Sequence, residues 1–175
     1  MNGPLHGIEP RDLAILESRA TALAGKPEAE AGALVRVLVF RLGGATFGLP
    51  VETVREVVDD ATPTPVPGAP EAIRGVISLR GEIVSVTDPA VRLGLGPAAG
   101  PRAILVVIAQ GGVSTALAVD SIADIVEVAV ADIESPLPLM DRAVADAVCG
   151  SFPTPEGPVA LLSVAPLLEP VGSER

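Results

Sequence analysis

Few side chains in this sequence could do chemistry, and the carboxylates come first among them. Asp120 and Asp124 stand four apart, and Glu52 and Glu56 repeat that spacing earlier in the chain. On a helix these spacings share a face, so either pair could serve as an acid–base dyad or a metal patch. The plainer reading is a solvated helix face, where two like charges need no catalytic reason. Asp59-Asp60 precedes a proline-rich connector and reads as turn chemistry. Asp88 precedes Pro89 and reads as a helix N-cap rather than a catalyst.

The other reactive residues are single. His6 is the only His, Cys149 the only Cys and Lys26 the only Lys. One His and one Cys cannot build a zinc site, a disulfide or a core-anchored Ser-His-Asp or Cys-His pair. A lone Lys26 beside Pro27 removes the P-loop, Schiff-base and kinase lysines. Gly43-Gly44 and Gly111-Gly112 are followed by strand-like runs, where a phosphate loop needs a helix. Cys149 reads as a small apolar residue. Most enzyme classes are thereby unexpected, an acid–base enzyme built only on carboxylates stays open, and no cofactor and no metal are expected.

Arg80 is different. It stands between Leu79 and Gly81 at a hairpin tip of an acidic chain. One reading is an ordinary surface arginine. The other is an interface anchor, because a guanidinium fork pairs bidentately with carboxylates and is favoured at hot spots.

The elements that must position these residues follow from composition and pattern. The chain has 175 residues, of which 49% are hydrophobic, so it can bury a core and is not a disordered chain. Aromatics are 2%, with no Trp and no Tyr, and the formal net charge is -10. Base-stacking platforms are missing and an acidic surface repels phosphates, which argues against nucleic acid and membrane surfaces as partners. No basic region followed by an apolar run opens the sequence, and the run Ala103 to Ala109 is too short to span a bilayer. A cytoplasmic protein without membrane insertion is expected.

Residues 1–34 are expected to form an extension with one amphipathic helix and a linker. Leu13, Leu16, Ala20 and Leu23 make the helix's apolar stripe, and Gly25 suits its C-cap. From Val35 short strands take over. Val35 to Leu42 and Ala45 to Leu49 flank Gly43-Gly44 as a hairpin. Val51, Val54 and Val58 share a helical face, which predicts a short helix over 51–58. Thr62 to Pro70 is an extended connector, because its prolines forbid helix and central strand. Ile73 to Leu79 and Ile83 to Thr87 form a second hairpin, and a short helix opens at Asp88-Pro89.

The unit then repeats. Gly43-Gly44 falls on Gly111-Gly112 when the chain is shifted by 68 positions. The same shift lays Val51-Glu52-Thr53-Val54 on Val119-Asp120-Ser121-Ile122, and Arg55-Glu56-Val57-Val58 on Ala123-Asp124-Ile125-Val126. Further on, Gly75 matches Gly150, Arg80-Gly81 falls near Pro155-Glu156-Gly157, and Leu93 matches Leu168. Two such units predict two small β-barrels side by side, each with its own core, and a groove between them.

These pieces, in this order, resemble the CheW-like adaptor domain of bacterial chemotaxis. The resemblance runs from about Val35 to Leu168. It rests on Val39-Phe40-Arg41-Leu42-Gly43 with Thr46-Phe47-Gly48-Leu49-Pro50-Val51, on Val54-Arg55-Glu56-Val57, and on Val159 to Ser163 with Leu167-Leu168. The most specific stretch is Pro67 to Gly81, ending Ile77-Ser78-Leu79-Arg80-Gly81. The resemblance implies a mainly β fold of two SH3-like five-stranded barrels, spanning residues 35–170 with a tail at 171–175. It implies a non-catalytic adaptor that couples the cytoplasmic tip of a chemoreceptor to the regulatory domain of a CheA-type histidine kinase. It also implies receptor- or kinase-interface roles for Val54 and Glu56 on the first helix and for Arg80, with Gly75 and Gly81 shaping turns. Ser78, Gly68 and Thr87-Asp88-Pro89-Ala90 depart from the usual family pattern. Two alternatives stay open. One is a scaffold for another chemosensory output, such as pili, development or cyclic-nucleotide control. The other is a small-molecule-binding barrel or a carboxylate hydrolase.

Overall fold

In the first predicted strand, Val35, Val37 and Val39 alternate with Leu38, Phe40 and Leu42, so a strand here has two apolar faces. Both faces are buried in the computed structural model, which describes residues 32–96, 102, 104–136 and 141–170. The predicted N-terminal helix and the 171–175 tail lie outside the described residues.

The described strands are β1 (Leu34–Leu42), β2 (Ala45–Pro50), β3 (Val54–Val58), β4 (Ile73–Leu79), β5 (Glu82–Thr87), β6 (Ile104–Gln110), β7 (Val113–Val119), β8 (Ser121–Ala129), β9 (Val148–Thr154) and β10 (Gly157–Leu162). The short helices are α1 (Pro89–Arg92), α2 (Arg142–Ala147) and α3 (Val164–Leu168). Two five-stranded sheets result, ordered β8-β1-β2-β10-β9 and β3-β6-β7-β5-β4. We call them the first and second barrel.

The internal repeat is real, but a barrel is not one repeat. The first barrel combines the opening hairpin of one unit, β1-β2, with the closing hairpin of the other, β9-β10. The second combines β6-β7 with β4-β5. Each unit also sends its third strand to the other unit's opening strand, as β3 pairs with β6 and β8 with β1. Even the irregularities match. A bulge between Val54 and Glu56 recurs between Ile122 and Asp124, and one between Ile73 and Gly75 recurs between Val148 and Gly150.

This exchange explains the two-faced strands. Val35, Val37 and Val39 fill the first barrel with Phe152, Val159 and Leu161. Val84, Val86, Leu105 and Val107 fill the second. Leu38, Phe40 and Leu42 turn instead to a third core between the barrels, where they meet Ile108, Leu117, Val119, Leu162 and Leu167. The sequence pattern predicts two cores flanking a groove. The seam instead holds a core that draws on both sheets and all three helices.

The predicted helix over 51–58 is a correction. Only Val51–Thr53 winds, as a single 3₁₀ turn, with Thr53 Oγ1 donating to Pro50 O at 2.7 Å. Val54–Val58 is then strand β3. Three of its five residues are valine, whose branched side chains favour strand, and β6 offers a ladder for them. The same outcome at Ser121–Ala129 removes the helix face proposed for Asp120 and Asp124, and with it that for Glu52 and Glu56.

Candidate functional site

The β4–β5 hairpin turns in two residues, Arg80 and Gly81, because Leu79 pairs with Glu82. Both have positive φ, 51° and 83°. That is the type I′ turn, whose twist matches a two-residue hairpin and whose favoured residues are Gly, Asn and Asp. The chain uses Gly-Gly for the turns at Gly43-Gly44 and Gly111-Gly112, both also at positive φ. Arg80 therefore sits in a strained conformation that glycine fills elsewhere in the same fold. Its side chain is 80% exposed.

Arg80 Nη2 lies 3.6 Å from Glu56 Oε2 on β3. A second pair runs beside it, Arg55 Nη1 to Glu82 Oε2 at 3.4 Å. The structure thus brings Arg80 and Glu56 together, though neither lies on a helix. Val54 goes elsewhere. The β3 bulge pairs Val54 with Ile108 of the central core but Glu56 with Val107 of the second barrel's core. Paired residues share a sheet face, so Val54 and Glu56 point to opposite faces. Val54 is half-buried against the central core.

Two apolar side chains on these strands are exposed. Ile83 is 71% exposed and Val57 on β3 is 44% exposed. Ser85 Oγ and Thr87 Oγ1 each lie 3.1 Å from Thr115 Oγ1, which ties β5 to β7 across their short parallel contact. One register step further along the same face stand Ile83 and Val113, the latter 53% exposed.

Gly75 does not shape a turn, contrary to the sequence-based expectation. It lies within β4 at the bulge, with φ 144°. The proline-rich connector crosses it there, with Thr64 N donating to Val76 O at 2.8 Å and Val76 N to Thr64 O at 2.9 Å. A Cβ on Gly75 would overlap the Thr64 carbonyl. Gly81 does sit in its turn.

Two arginines overlooked in the sequence hold the scaffold. Arg102 is 2% exposed at its side chain. Its Nη1 donates to both Asp88 carboxylate oxygens, at 2.6 and 2.7 Å, and its Nε donates to Asp120 Oδ1 at 2.6 Å. Asp88 also caps α1, accepting from Ala90 N at 3.0 Å, as its sequence position predicts. Asp120 reaches the first barrel, since its Oδ2 accepts from Gly43 N at 2.8 Å and its own N–H donates to Arg41 O. One buried cation thus pins the end of β5 to the turn of β1-β2. Lying beside a proline and glycine loop, Arg102 carries no periodic signal that could have announced this role.

Arg92, at the end of α1, donates to Pro166 O at 2.6 Å, Leu167 O at 3.1 Å and Glu169 O at 2.8 Å. These carbonyls lie at the C-terminal end of α3, where a helix leaves acceptors without partners. Burial lowers the Arg92 pKa below that of a free guanidinium, and the charge of Glu169 opposes the shift.

Among the described residues no group of three His, Cys, Asp or Glu converges to hold a metal ion. Among them, too, no helix is long and apolar enough to cross a membrane. The barrel interiors are packed with Val, Leu, Ala and Phe rather than lined by convergent polar groups.

Comparison with known proteins agrees with this geometry. A family model described as the CheW-like domain matches residues 36–171. Protein FrzA of Myxococcus xanthus is 35% identical over 133 residues, covering 75% of this chain and 79% of that protein. Chemotaxis protein CheW of Rhizobium meliloti strain 1021 is 36% identical over 100 residues, covering 56% of this chain and 64% of that protein, just short of two thirds of its length. The crystal structure of scaffolding protein TtCheW from Thermoanaerobacter tengcongensis superposes with a TM-score of 0.71 at 29% identity, covering 82% of this chain and 98% of that one. The exchanged two-barrel fold, the matched domain and these relatives together show that the chain belongs to the CheW-like family, the adaptors and scaffolds of chemosensory signalling.

Proposed function

We propose that this protein is a non-catalytic adaptor that couples the cytoplasmic tip of a chemoreceptor to the regulatory domain of a CheA-type histidine kinase, in the cytoplasm at receptor arrays. The observation that carries this reading is the Arg80 tip. A cation is held in a strained turn, 80% exposed, beside Glu56, and the same hairpin exposes Ile83. Strain retained at an exposed position supports a binding role, because a glycine would close the turn more easily. An exposed arginine at a hairpin tip also has the makeup of an interface hot spot. Val54 serves this surface from behind, by packing β3 against the central core.

The test is calorimetric titration of the full chain with a receptor tip fragment and with the kinase regulatory domain from the same cell. Binding to at least one partner is expected, weakened about tenfold by Arg80→Glu with thermal stability retained. Absence of binding to both partners refutes the reading.

The relatives include a protein named FrzA as well as proteins named CheW, and a second reading has the same coupling serve a chemosensory output other than swimming. Co-purification from the native cell separates the two, because the receptor and kinase that accompany the protein define the pathway.

A further inference from the structure

The two barrels differ at one mouth. In the second barrel, the β4–β5 tip and β3 are tied by Arg80–Glu56 and Arg55–Glu82. In the first barrel the repeat puts β8 in the place of β3 and the β9–β10 turn in the place of the β4–β5 turn. Pro155 stands where Arg80 stands, and Ala123 where Arg55 stands. Both cations are gone, while Asp124 keeps the acid of Glu56.

The result is a groove of about 460 Å³ between β8, the 3₁₀ turn Val130–Asp132 and the β9–β10 turn. Its apolar wall includes Phe152, Pro153 and Pro155, and its rim carries Glu127, Asp132 and Glu134. The three carboxylates are exposed, and among the described residues none is ion-paired, although Arg36 stands opposite Glu127 in the β1–β8 ladder. They do not converge tightly enough to hold a metal ion. An apolar wall with a spread acidic rim suits a long side chain whose methylenes lie on the wall and whose cation meets the rim. In the second barrel that relation of arginine to acid is made within the chain. In the first, the β9–β10 turn pairs Glu156 with Arg41 of β1 at 3.8 Å, and Glu127, Asp132 and Glu134 are left open.

We propose that this groove docks an extended segment of a partner protein that brings an arginine or lysine to Glu127, Asp132 and Glu134. β8 is an edge strand of its sheet, so it offers backbone groups beside the acidic rim to a chain lying along it. The charge of the rim selects a basic segment over an acidic one. The proposal is independent of the Arg80 surface, which lies on the other barrel.

The probe is an end-capped heptapeptide, Gly-Val-Arg-Val-Arg-Val-Gly, titrated into the full isotope-labelled chain and followed by amide chemical shifts. The comparison peptide replaces both arginines by glutamate. The arginine peptide is expected to shift Glu127, Asp132, Phe152 and Thr154, and added salt is expected to weaken it. The triple substitution Glu127→Gln, Asp132→Asn, Glu134→Gln is expected to weaken binding about tenfold while the spectrum stays folded. Equal binding of the two peptides, shifts centred on Glu56 and Arg80, or indifference to the triple substitution would each overturn the proposal. So would shifts in residues 1–31 on the triple substitution without peptide, because the chain's own N-terminal residues would then be the occupant.

Discussion

Arg80 and Glu56 join the two ends of one sheet. In the order β3-β6-β7-β5-β4, Glu56 lies on one edge strand and Arg80 at the tip of the other edge hairpin, yet their charged atoms are 3.6 Å apart. The pair therefore spans the rim where the sheet curls round to meet itself. Arg80 is largely solvent-exposed and Glu56 half-buried, and the charged atoms do not reach hydrogen-bond distance, so the pair's contribution to stability is about 1 kcal/mol at most. Its value lies in where it holds the guanidinium.

This separates function from stability at Arg80. Asn tolerates positive φ and relieves the strained turn. Arg80→Asn is expected to leave the melting temperature unchanged or raise it, the strain relieved being about 1 kcal/mol. The same variant is expected to bind the receptor tip or kinase domain about tenfold more weakly. A melting curve and one titration on the same sample check both outcomes. A loss of binding accompanied by unfolding would mark Arg80 as structural.

The buried arginine predicts the opposite pattern. Arg102→Met keeps volume but strands Asp88, whose side chain is 7% exposed, without its bidentate partner. Removing one member of a buried pair costs about 3–5 kcal/mol. Urea unfolding is expected to show that loss, with binding at the Arg80 surface retained in the fraction that stays folded. Adding Asp88→Leu to Arg102→Met is expected to recover part of the loss, because the buried charge, which keeps only Arg74 at 3.8 Å, is then gone.

Much of this fold was legible in the residues. The glycine pairs at 43–44 and 111–112 announced their hairpins, Asp88-Pro89 announced its helix, and the shift from Gly43 to Gly111 announced the repeat. The exchange of strands between units was not legible. A strand whose two faces are both apolar, such as β1, is compatible with a barrel made within one unit or between two. Only the long-range ladders β1–β8 and β3–β6 decide between them. The helix read into Val51–Val58 failed because a one-residue bulge shifts the face of a strand, and the resulting apolar spacing mimics a helical period. At the site, Arg80 stood out by its turn position, whereas Glu56 as its partner needed the curl of the sheet.

Gly75 carries a prediction about the connector. Its φ of 144° is a conformation that residues with a Cβ rarely adopt, and the added atom would overlap the Thr64 carbonyl. Gly75→Ala is expected to destabilise the protein by about 3 kcal/mol, from backbone strain and from displacement of the connector. Hydrogen exchange gives the local signature. The amides of Thr64 and Val76, which bond each other's carbonyls, are expected to lose protection before the central core does.

Arg92 offers a test of how the two repeats are tied together. It leaves the end of α1 in one repeat and donates to three carbonyls at the end of α3 in the other. A guanidinium reaches several acceptors through separate nitrogens in a fixed plane, whereas an ammonium is a point donor on a flexible stem. Arg92→Lys is therefore expected to recover only part of what Arg92→Ala loses, with the full loss about 2 kcal/mol. Burial lowers the Arg92 pKa, but a guanidinium remains charged across the range in which proteins stay folded. The stability lost in Arg92→Ala is thus expected to be the same at acid, neutral and mildly alkaline pH. A stability difference between wild type and Arg92→Ala that changes across this range would show that the contact depends on a titrating neighbour rather than on the carbonyls. In that event Glu169, whose charge raises the Arg92 pKa, is the residue to neutralise next.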